Sequence, residues 1–242
     1  MVVSLGFAVS GCARIGQAHK QTFTTMPVLS STEDRQVCAH ESLNTKVLAQ
    51  GVQAVEFHFT HPRVTLFVAR FESNGRGSLA SALLRSRQYV PRISAILLED
   101  GLPPELAYLP LIESGFQPQA ISRAGAVGLW QLLASTGRHY GLRIDRHIDE
   151  RRDPIKSTRA AARYLKDLHE AFGDWHLALA AYNSGEHALS RLLARSPSVS
   201  FWELRMSGHL HAETADFVPK FLAAVQIAES PEAHGFNTVA RQ

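Results

Sequence analysis

The 242-residue sequence predicts an all-α fold. Three observations lead to this prediction. Apolar residues recur at spacings of three and four over long segments, which is the period of a helix that buries one face. Residues that favour helix ends, such as Ser, Asp, Gly and Pro, bound these segments. The chain shows no succession of alternating strands and no repeat of fixed period. Its length suffices for one domain, or two small ones, with a real core.

The N-terminal residues are predicted to precede this domain. Residues 1–12, MVVSLGFAVSGC, form an apolar run, and VSGC resembles the lipobox of bacterial lipoproteins. We expect this leader to be removed and Cys12 to be lipidated, although no charged residue precedes it. A buried cysteine, or a disulfide with Cys38, is the alternative. The run is too short to span a bilayer, which needs about 20 apolar residues. Residues 13–60 are predicted to be a tether or loosely packed arm. Within this arm, VLAQGVQAVEFHFTH from Val47 fits a helix or a strand.

The first helix of the predicted domain lies in HPRVTLFVARFES. Its apolar residues fall on one helical stripe: Val64, Phe67, Val68 and Phe71. Asn74, Gly75 and Gly77 follow and are expected to stop the helix.

The second helix is predicted to run from Ser78, as N-cap, to Gly101. Pro91 lies in its middle and is expected to break or kink it. Pro103 and Pro104 then suit the first turn of the next helical segment, ELAYLPLIESGF.

Three further helices are predicted in the second half of the chain. STRAAARYLKDLHEAFG has Ser157 as N-cap and Gly173 as terminator. DWHLALAAYNSG, at 174–185, is apolar over most of its length and is expected to be a buried core helix. The last segment, ETADFVPKFLAAVQIAES, has these apolar residues near one side: Phe217, Phe221, Val225 and Ile227.

The charge pattern argues against nucleic-acid binding. The net charge is +3 with a pI near 9.0, and the densest basic groups, at 85–87 and 150–152, are small. A weakly cationic surface also suits an anionic polymer such as a cell wall. The twelve histidines complete no H-E-x-x-H motif and are predicted to be scattered surface residues. No phosphate loop, dinucleotide fingerprint or G-x-S-x-G occurs, so no cofactor or metal is expected.

Glu113 is the first candidate for chemistry, because apolar helix residues precede it and no Lys or Arg lies between Arg92 and Arg123. Apolar surroundings disfavour the charged carboxylate and raise its pKa. A carboxyl group that stays protonated near neutral pH can act as a general acid. A glutamate at a helix end that points to water is the alternative.

Two polar motifs are the next candidates. In AGAVGLWQ, Gly125 and Gly128 permit a tight bend or a close approach to a ligand. The following Trp130 and Gln131 would suit a sugar ring and its N-acetyl group, or the tryptophan could belong to the core. In AAYNSG, Tyr182 and Asn183 end the apolar helix and could equally form its C-cap.

Taken together, ESGF, SRAGAVGLWQ, STG and AYNSG closely resemble the lytic transglycosylases of the goose-lysozyme-like (SLT) superfamily, in their membrane-bound type D branch. GLPPELAYLPLIESGF, DERRDP and ETADFVPKFLAA match as well. The resemblance covers about residues 60–236 and is densest at 101–186. It implies a lysozyme-like helical catalytic domain at 61–236, with its core at 101–190. No LysM-like repeat follows, so a member without these wall-binding modules is expected.

The resemblance implies a peptidoglycan lyase that cleaves the β-1,4 bond between N-acetylmuramic acid and N-acetylglucosamine and leaves a 1,6-anhydro end. By position, Glu113 matches the family's single acid and base. The implied substrate-binding residues are these: Ser114, Ser122, Gly128, Gln131, Tyr182, Asn183 and Glu213. Leu132–Leu133 and Phe217 depart from residues common in the family. The implied partner is the glycan strand of peptidoglycan, and no nucleic-acid partner is expected. We expect a monomer in the periplasm, either free or anchored to the outer membrane by a lipid. An alanine such as Ala13 directly after the lipidated cysteine is typical of lipoproteins of the outer membrane.

Two rival functions remain open at this stage. A lysozyme-type hydrolase would need a second carboxylate to position water, and four aspartates are available: Asp145, Asp149, Asp153 and Asp174. A non-catalytic peptidoglycan-binding protein could use the same groove.

Overall fold

The computed structural model describes residue 57, residues 60–195 and residues 199–236. In these ranges the chain forms nine α-helices and two short 3-10 helices, and its β-pairing is limited to isolated bridges. The α-helices are α1 Pro62–Glu72, α2 Arg76–Glu99, α3 Leu109–Glu113, α4 Ala134–His139, α5 Pro154–Phe172, α6 Trp175–Ser184, α7 Glu186–Leu193, α8 Phe201–Met206 and α9 Ala212–Glu229. The 3-10 helices are Pro104–Tyr108 and Glu150–Arg152. The predicted all-α class is confirmed.

The predicted leader at 1–12, with Cys12, and nearly all of the predicted arm at 13–60 lie outside the described residues. No described helix combines the length and the apolar character that crossing a membrane requires.

Helix α1 follows the predicted stripe, since Val64, Phe67 and Val68 are buried on one face. Helix α2 begins earlier than predicted, because the Leu79 amide already donates to the Gly75 carbonyl at 3.0 Å. Ser78 is therefore inside α2, and Gly75 caps it without a side-chain hydrogen bond.

Pro91 does not break α2, which continues from Arg76 to Glu99. A proline inside a helix removes one backbone hydrogen bond, and this leaves the carbonyl four residues earlier without a partner. Both Pro91 and Arg87 are exposed, so water can satisfy that carbonyl.

The caps of α5 and α6 show how local chemistry sets helix ends. The N-cap of α5 is Asp153 and not the predicted Ser157, since the Asp153 carboxylate accepts from the amides of Ile155 and Lys156. Ser157 lies in the first turn and donates to the Asp153 carbonyl at 2.6 Å. Gly173 ends α5 at a φ of 67°, as predicted.

Helices α6 and α9 form the centre of the core. Every residue of α6 from Trp175 to Ala181 is buried, which confirms the predicted core helix. Helix α9 packs against α1, α3 and α6, while α5 packs against α6 and α2. The predicted apolar side of α9 is buried throughout, as Phe217, Phe221, Val225 and Ile227 show. This packing brings the C-terminal ends of α3 and α6 towards the N-terminal half of α9.

Candidate active site

Glu113 is the last residue of α3, and the chain turns sharply directly after it. Gly115 and Phe116 both have positive φ, at 59° and 58°. The glycine adopts this conformation without steric strain, whereas Phe116 is held in it by complete burial of its ring. The turn therefore fixes the backbone that carries Glu113.

Ser114 connects this turn to the glycine-rich segment that follows. Its buried hydroxyl donates to the Leu129 carbonyl at 2.8 Å and accepts from the Gln117 amide at 3.3 Å. The hydroxyl is thus engaged with backbone on both sides of the site. Ser114 positions the neighbours of Glu113, and the structure gives it no free hydroxyl for a sugar.

The environment of Glu113 favours its protonated form. Its pKa rises from an ordinary 4.5 to about 8, chiefly because burial disfavours the charged carboxylate. The positive charge of Lys220 opposes this rise, and the negative charge of Glu213 adds to it. The side chain is only half-buried by surface area, so a ligand can still reach it. Near neutral pH, Glu113 is an accessible carboxylic acid.

A cleft of about 300 Å³ lies at the turn after Glu113, among α1, α2, α3 and α9, and Glu113 itself does not line it. Its wall includes both chain neighbours of Glu113, Ile112 and Ser114, together with Lys220. The polar side chains of Arg85 and Gln117 also line it, and the Arg85 Nε donates to the Gly115 carbonyl at 2.7 Å. The Glu113 turn is therefore braced by α2 where it meets this cleft.

The glycine-rich segment is shaped by its own backbone contacts. Gly128 has a φ of 85°, and a Cβ atom there would lie 2.0 Å from the Arg151 carbonyl oxygen. The absent side chain thus makes room for Arg151. The Ser122 hydroxyl accepts from the Ala126 amide at 3.0 Å, which holds the turn, and it makes no hydrogen bond to Glu113.

Gln131 retains an acceptor for a ligand. It has a positive φ of 48°, and its Nε2 donates to the carbonyls of Gly128 at 2.8 Å and Ala120 at 3.4 Å. These two bonds fix the orientation of the amide. Its Oε1 accepts no hydrogen bond from any described residue, and the side chain is half-buried. Gln131 can therefore accept a hydrogen bond from an N–H or O–H group.

Trp130 belongs to the core and does not provide the sugar platform considered above. Its side chain is fully buried, and its Nε1 donates to the Thr158 hydroxyl at 2.9 Å. The Trp130 carbonyl, in turn, accepts from the Tyr182 hydroxyl at 2.6 Å. The tryptophan anchors the glycine-rich segment between α5 and α6.

Tyr182 and Asn183 reach the site from the end of α6. Burial raises the pKa of Tyr182 well above its ordinary value, and the charge of Glu113 raises it further, so the hydroxyl stays neutral near Glu113. It donates to Trp130 and not to the acid. Asn183 accepts from the Thr214 hydroxyl at 2.8 Å through its Oδ1, while its Nδ2 donates to no described residue. Its amide N–H groups can therefore bind a ligand.

Comparison with known proteins shows which proteins this chain resembles. Residues 93–204 match the family model described as the transglycosylase SLT domain. Over 162 residues the chain is 41% identical to the membrane-bound lytic murein transglycosylase D of Escherichia coli (strain K12), covering 65% of this chain and 35% of the relative. Residues 93–204 of the chain therefore form a transglycosylase SLT domain.

Other proteins are similar over shorter stretches. The membrane-bound lytic murein transglycosylase F of Alcanivorax borkumensis is 42% identical over 33% of this chain and 17% of the relative. The crystal structure of the 70 kDa soluble lytic transglycosylase SLT70 of Escherichia coli aligns at a TM-score of 0.47 with 22% identity, covering 54% of this chain and 22% of that one. The chain spans about a third of the length of the first curated relatives it matches.

In this SLT domain, each aspartate considered for a hydrolase has a structural partner elsewhere. Asp153 and Asp174 cap α5 and α6. Asp145 pairs with Arg143 at 2.7 Å, and Asp149 pairs with Arg151 at 2.8 Å. None of the four contributes to the pKa shift of Glu113, whereas Glu213 does.

The sequence analysis did not identify two residues that contribute to the site. Lys220 acts on Glu113 from α9, and the available signal was its position as the sole charged residue between Asp216 and Glu229 in an apolar helix. Arg151 is buried, and its Nη1 donates to the carbonyls of Gly125 and Leu132, at 3.0 Å each. It holds the glycine-rich segment of the SLT domain in place.

The sequence analysis predicted that the histidines lie scattered on the surface, and this is wrong for two of them. His176 is buried in α6, and half-buried His61 stacks on Trp202 with ring centroids 3.8 Å apart. The described residues include no group of three or more His, Cys, Asp or Glu side chains that could hold a metal ion.

Proposed function

We propose that this protein is a peptidoglycan lytic transglycosylase with Glu113 as its only catalytic acid and base. The observation that carries the proposal is the half-buried Glu113 carboxyl, whose pKa of about 8 keeps it protonated near neutral pH. A reaction that begins with proton donation requires this state. The match of residues 93–204 to the transglycosylase SLT domain supports the same reaction class, and the type D relative is named for murein, which is the substrate we propose.

The reaction we propose needs one carboxyl group. Protonated Glu113 donates to the glycosidic oxygen as the bond to C1 of N-acetylmuramic acid breaks, while the sugar's own N-acetyl oxygen supports C1. The 6-hydroxyl oxygen of the same sugar then attacks C1, and its proton returns to Glu113. No water is consumed, the product carries a 1,6-anhydro ring, and Glu113 ends protonated as it began.

We assign substrate binding to the groups that still have free hydrogen-bonding atoms. The Gln131 Oε1 can accept from an N-acetyl N–H, and the Asn183 Nδ2 can donate to a sugar hydroxyl or carbonyl oxygen. Glu213 is exposed at the start of α9 and can bind sugar hydroxyls near Glu113. Ser114, Ser122 and Gly128 would then act through the backbone that they hold.

Tyr182 is assigned an indirect role. Its hydroxyl donates to the Trp130 carbonyl at 2.6 Å, and we propose that this bond keeps the end of α6 against the glycine-rich segment. The neutral phenol also lowers the polarity around Glu113 without adding a charge.

We propose that the protein works at the cell envelope, since the type D and type F relatives are named as membrane-bound. The finer proposal is a periplasmic enzyme, anchored to the outer membrane through Cys12 or free of an anchor. A test of the anchor is metabolic labelling with a fatty-acid analogue, which should label the wild type and not Cys12→Ser.

The test of the reaction is mass spectrometry of the soluble products formed from purified peptidoglycan sacculi. We expect products lighter than the hydrolytic ones by one water, and Glu113→Gln should abolish them. Glu170→Gln is the matched control, because Glu170 is exposed on α5 and has no ion pair or hydrogen bond among the described residues. Full activity in Glu113→Gln would overturn the proposal.

The other outcomes also decide between functions. Reducing-end products would mean a lysozyme-type hydrolase, and Glu213 would be the first carboxylate to test because its charge acts on Glu113. Binding to sacculi without any product would instead support a non-catalytic wall-binding protein.

A further inference from the structure

A second cavity, of about 330 Å³, lies where the end of α6 meets α7 and the start of α9. Four basic side chains line it: Arg191, Arg195, His209 and His211. No acidic residue is among its lining residues. Its remaining wall is partly apolar and includes Leu192 and Leu210. We call it the basic cavity.

The basic cavity lies next to residues assigned to the sugar site. Ser184 and Thr214 line it, and each is the immediate chain neighbour of a residue assigned to the sugar site. The Thr214 hydroxyl donates to the Asn183 Oδ1 at 2.8 Å, so this pair separates the cavity from the site. A chain branching from a sugar bound at Asn183 would have a short path into the cavity.

The two arginines of the cavity have no anionic partner in the described part of the chain. Neither guanidinium makes an ion pair or a hydrogen bond with a described residue, and both side chains are exposed. In contrast, Arg63, Arg143, Arg151 and Arg159 each pair with a carboxylate. An arginine fork matches the two oxygens of a carboxylate, and such charge-assisted hydrogen bonds are stronger than neutral ones.

We propose that the basic cavity binds the acidic peptide that is attached to the muramic acid of the strand being cleaved. This inference rests on the proposed function. The negative charge of Glu213 at the sugar site would repel an anionic peptide, whereas the cavity next to it offers arginines for carboxylates and leucines for small apolar side chains. The chain thereby separates recognition of the neutral glycan from recognition of its charged branch.

The first test compares cleavage of peptide-bearing glycan strands with cleavage of the same strands after an amidase has removed the peptides. The quantity compared is the kcat/KM for peptide-bearing strands divided by the kcat/KM for strands without peptides. We expect the double variant Arg191→Ala/Arg195→Ala to lower this ratio by about tenfold, which corresponds to about 1.4 kcal/mol. Arg87→Ala/Arg92→Ala is the matched control, since both arginines are exposed on α2, away from the basic cavity. An unchanged ratio in the cavity variant, or an equal fall in both, would overturn the proposal.

The second test measures binding without turnover. A free stem peptide is titrated into the full chain carrying Glu113→Gln, with the same peptide amidated at its carboxyl groups as comparison. We expect the carboxylate form to bind more tightly, and Arg191→Lys/Arg195→Lys to retain part of this preference because charge is kept and the fork is lost. Thermal unfolding of each variant checks that it is folded.

The two tests separate failure of the inference from failure of the proposed function. If neither kind of strand is cleaved, the proposed function fails, while the titration still tests the cavity. Equal binding of the carboxylate and amidated peptides, or binding that ignores the arginines, would overturn the cavity assignment even in an active enzyme.

Discussion

Replacement of Glu113 by glutamine should stabilise the protein at alkaline pH and change its stability little at acid pH. The raised pKa of Glu113 means that the folded state favours the protonated carboxyl. Below about pH 4.5 the carboxyl is protonated in both the folded and the unfolded state, so burial of the group carries no ionic penalty. As the pH rises towards 8, the unfolded state ionises first, and the free energy of unfolding falls. Glutamine stays neutral throughout.

The size of the effect follows from the pKa difference. A pKa change from 4.5 to about 8 corresponds to at most about 5 kcal/mol, at about 1.36 kcal/mol per unit. Glu113 is only half-buried, and water at its exposed edge reduces this figure, so we expect about 2 kcal/mol. For a chain of this length that is a shift in Tm of about 4–8 °C.

The assay is thermal unfolding of the wild type and Glu113→Gln at pH 5 and pH 9. The expected result is a Tm difference that grows by several degrees between the two pH values, with the variant higher at pH 9. Glu105 and Glu229 also have raised pKa values, mainly through burial, but they are present in both proteins and their effects cancel. Glu170→Gln on exposed α5 serves as control and should track the wild type.

A Tm difference that is the same at both pH values would refute the reasoning, since it would mean that Glu113 titrates alike in the folded and unfolded states. The single-acid mechanism would then lose its physical basis, because the acid would not begin protonated near neutral pH.

Two further predictions concern the scaffold of the site. Gly128→Ala should destabilise the fold by about 3 kcal/mol or more, because positive φ adds about 1–2 kcal/mol of strain and the new Cβ meets the Arg151 carbonyl at 2.0 Å. Gly125→Ala, at φ 78° with open space, should lose only about 1 kcal/mol in urea denaturation, and equal losses would contradict the packing role of Gly128. Arg63 donates to both Asp216 carboxylate oxygens, at 2.9 and 2.6 Å; Asp216→Asn removes one of these acceptors and the negative charge, and should lose about 1–2 kcal/mol at pH 7. Since Arg63 holds the pKa of Asp216 below 3.8, the wild-type advantage should vanish as the pH falls below that value, and an advantage that persists in acid would argue against the ion pair.

Helix ends were predictable where their determinants are local. Gly173 and Asp174 set the boundary between α5 and α6 as the sequence indicates, because a left-handed glycine and an aspartate N-cap act within one turn. Ser78 and Ser157 were wrong as N-caps for the same reason. In each case the helix begins a few residues upstream, at Gly75 without a side-chain cap and at Asp153 with one.

The sequence motifs named the candidate site residues, which stay predictions, and could not indicate their contacts. Among the described residues, the Gln131 Oε1 and the Asn183 Nδ2 make no hydrogen bond, and Glu113 is only half-buried, which is compatible with the predicted roles. The hydroxyls of Ser114 and Ser122 instead form hydrogen bonds with backbone atoms. The spacing of residues in the sequence cannot predict these bonds, because a hydroxyl group can bond equally well to a neighbouring backbone atom or to a ligand.

The sequence by itself determined the helical class, the resemblance to SLT transglycosylases and the choice of Glu113 as the candidate acid, because apolar periodicity, capping residues and short motifs are read along the chain. Only the tertiary structure decided that Trp130 is core and that Lys220 and Glu213 bias the pKa of Glu113 from α9. It also placed Arg191 and Arg195 in one cavity with no carboxylate partner among the described residues. Burial and long-range charge depend on which helix faces pack together, and that packing joins residues about 100 positions apart, such as Glu113 and Glu213, through space and not along the chain.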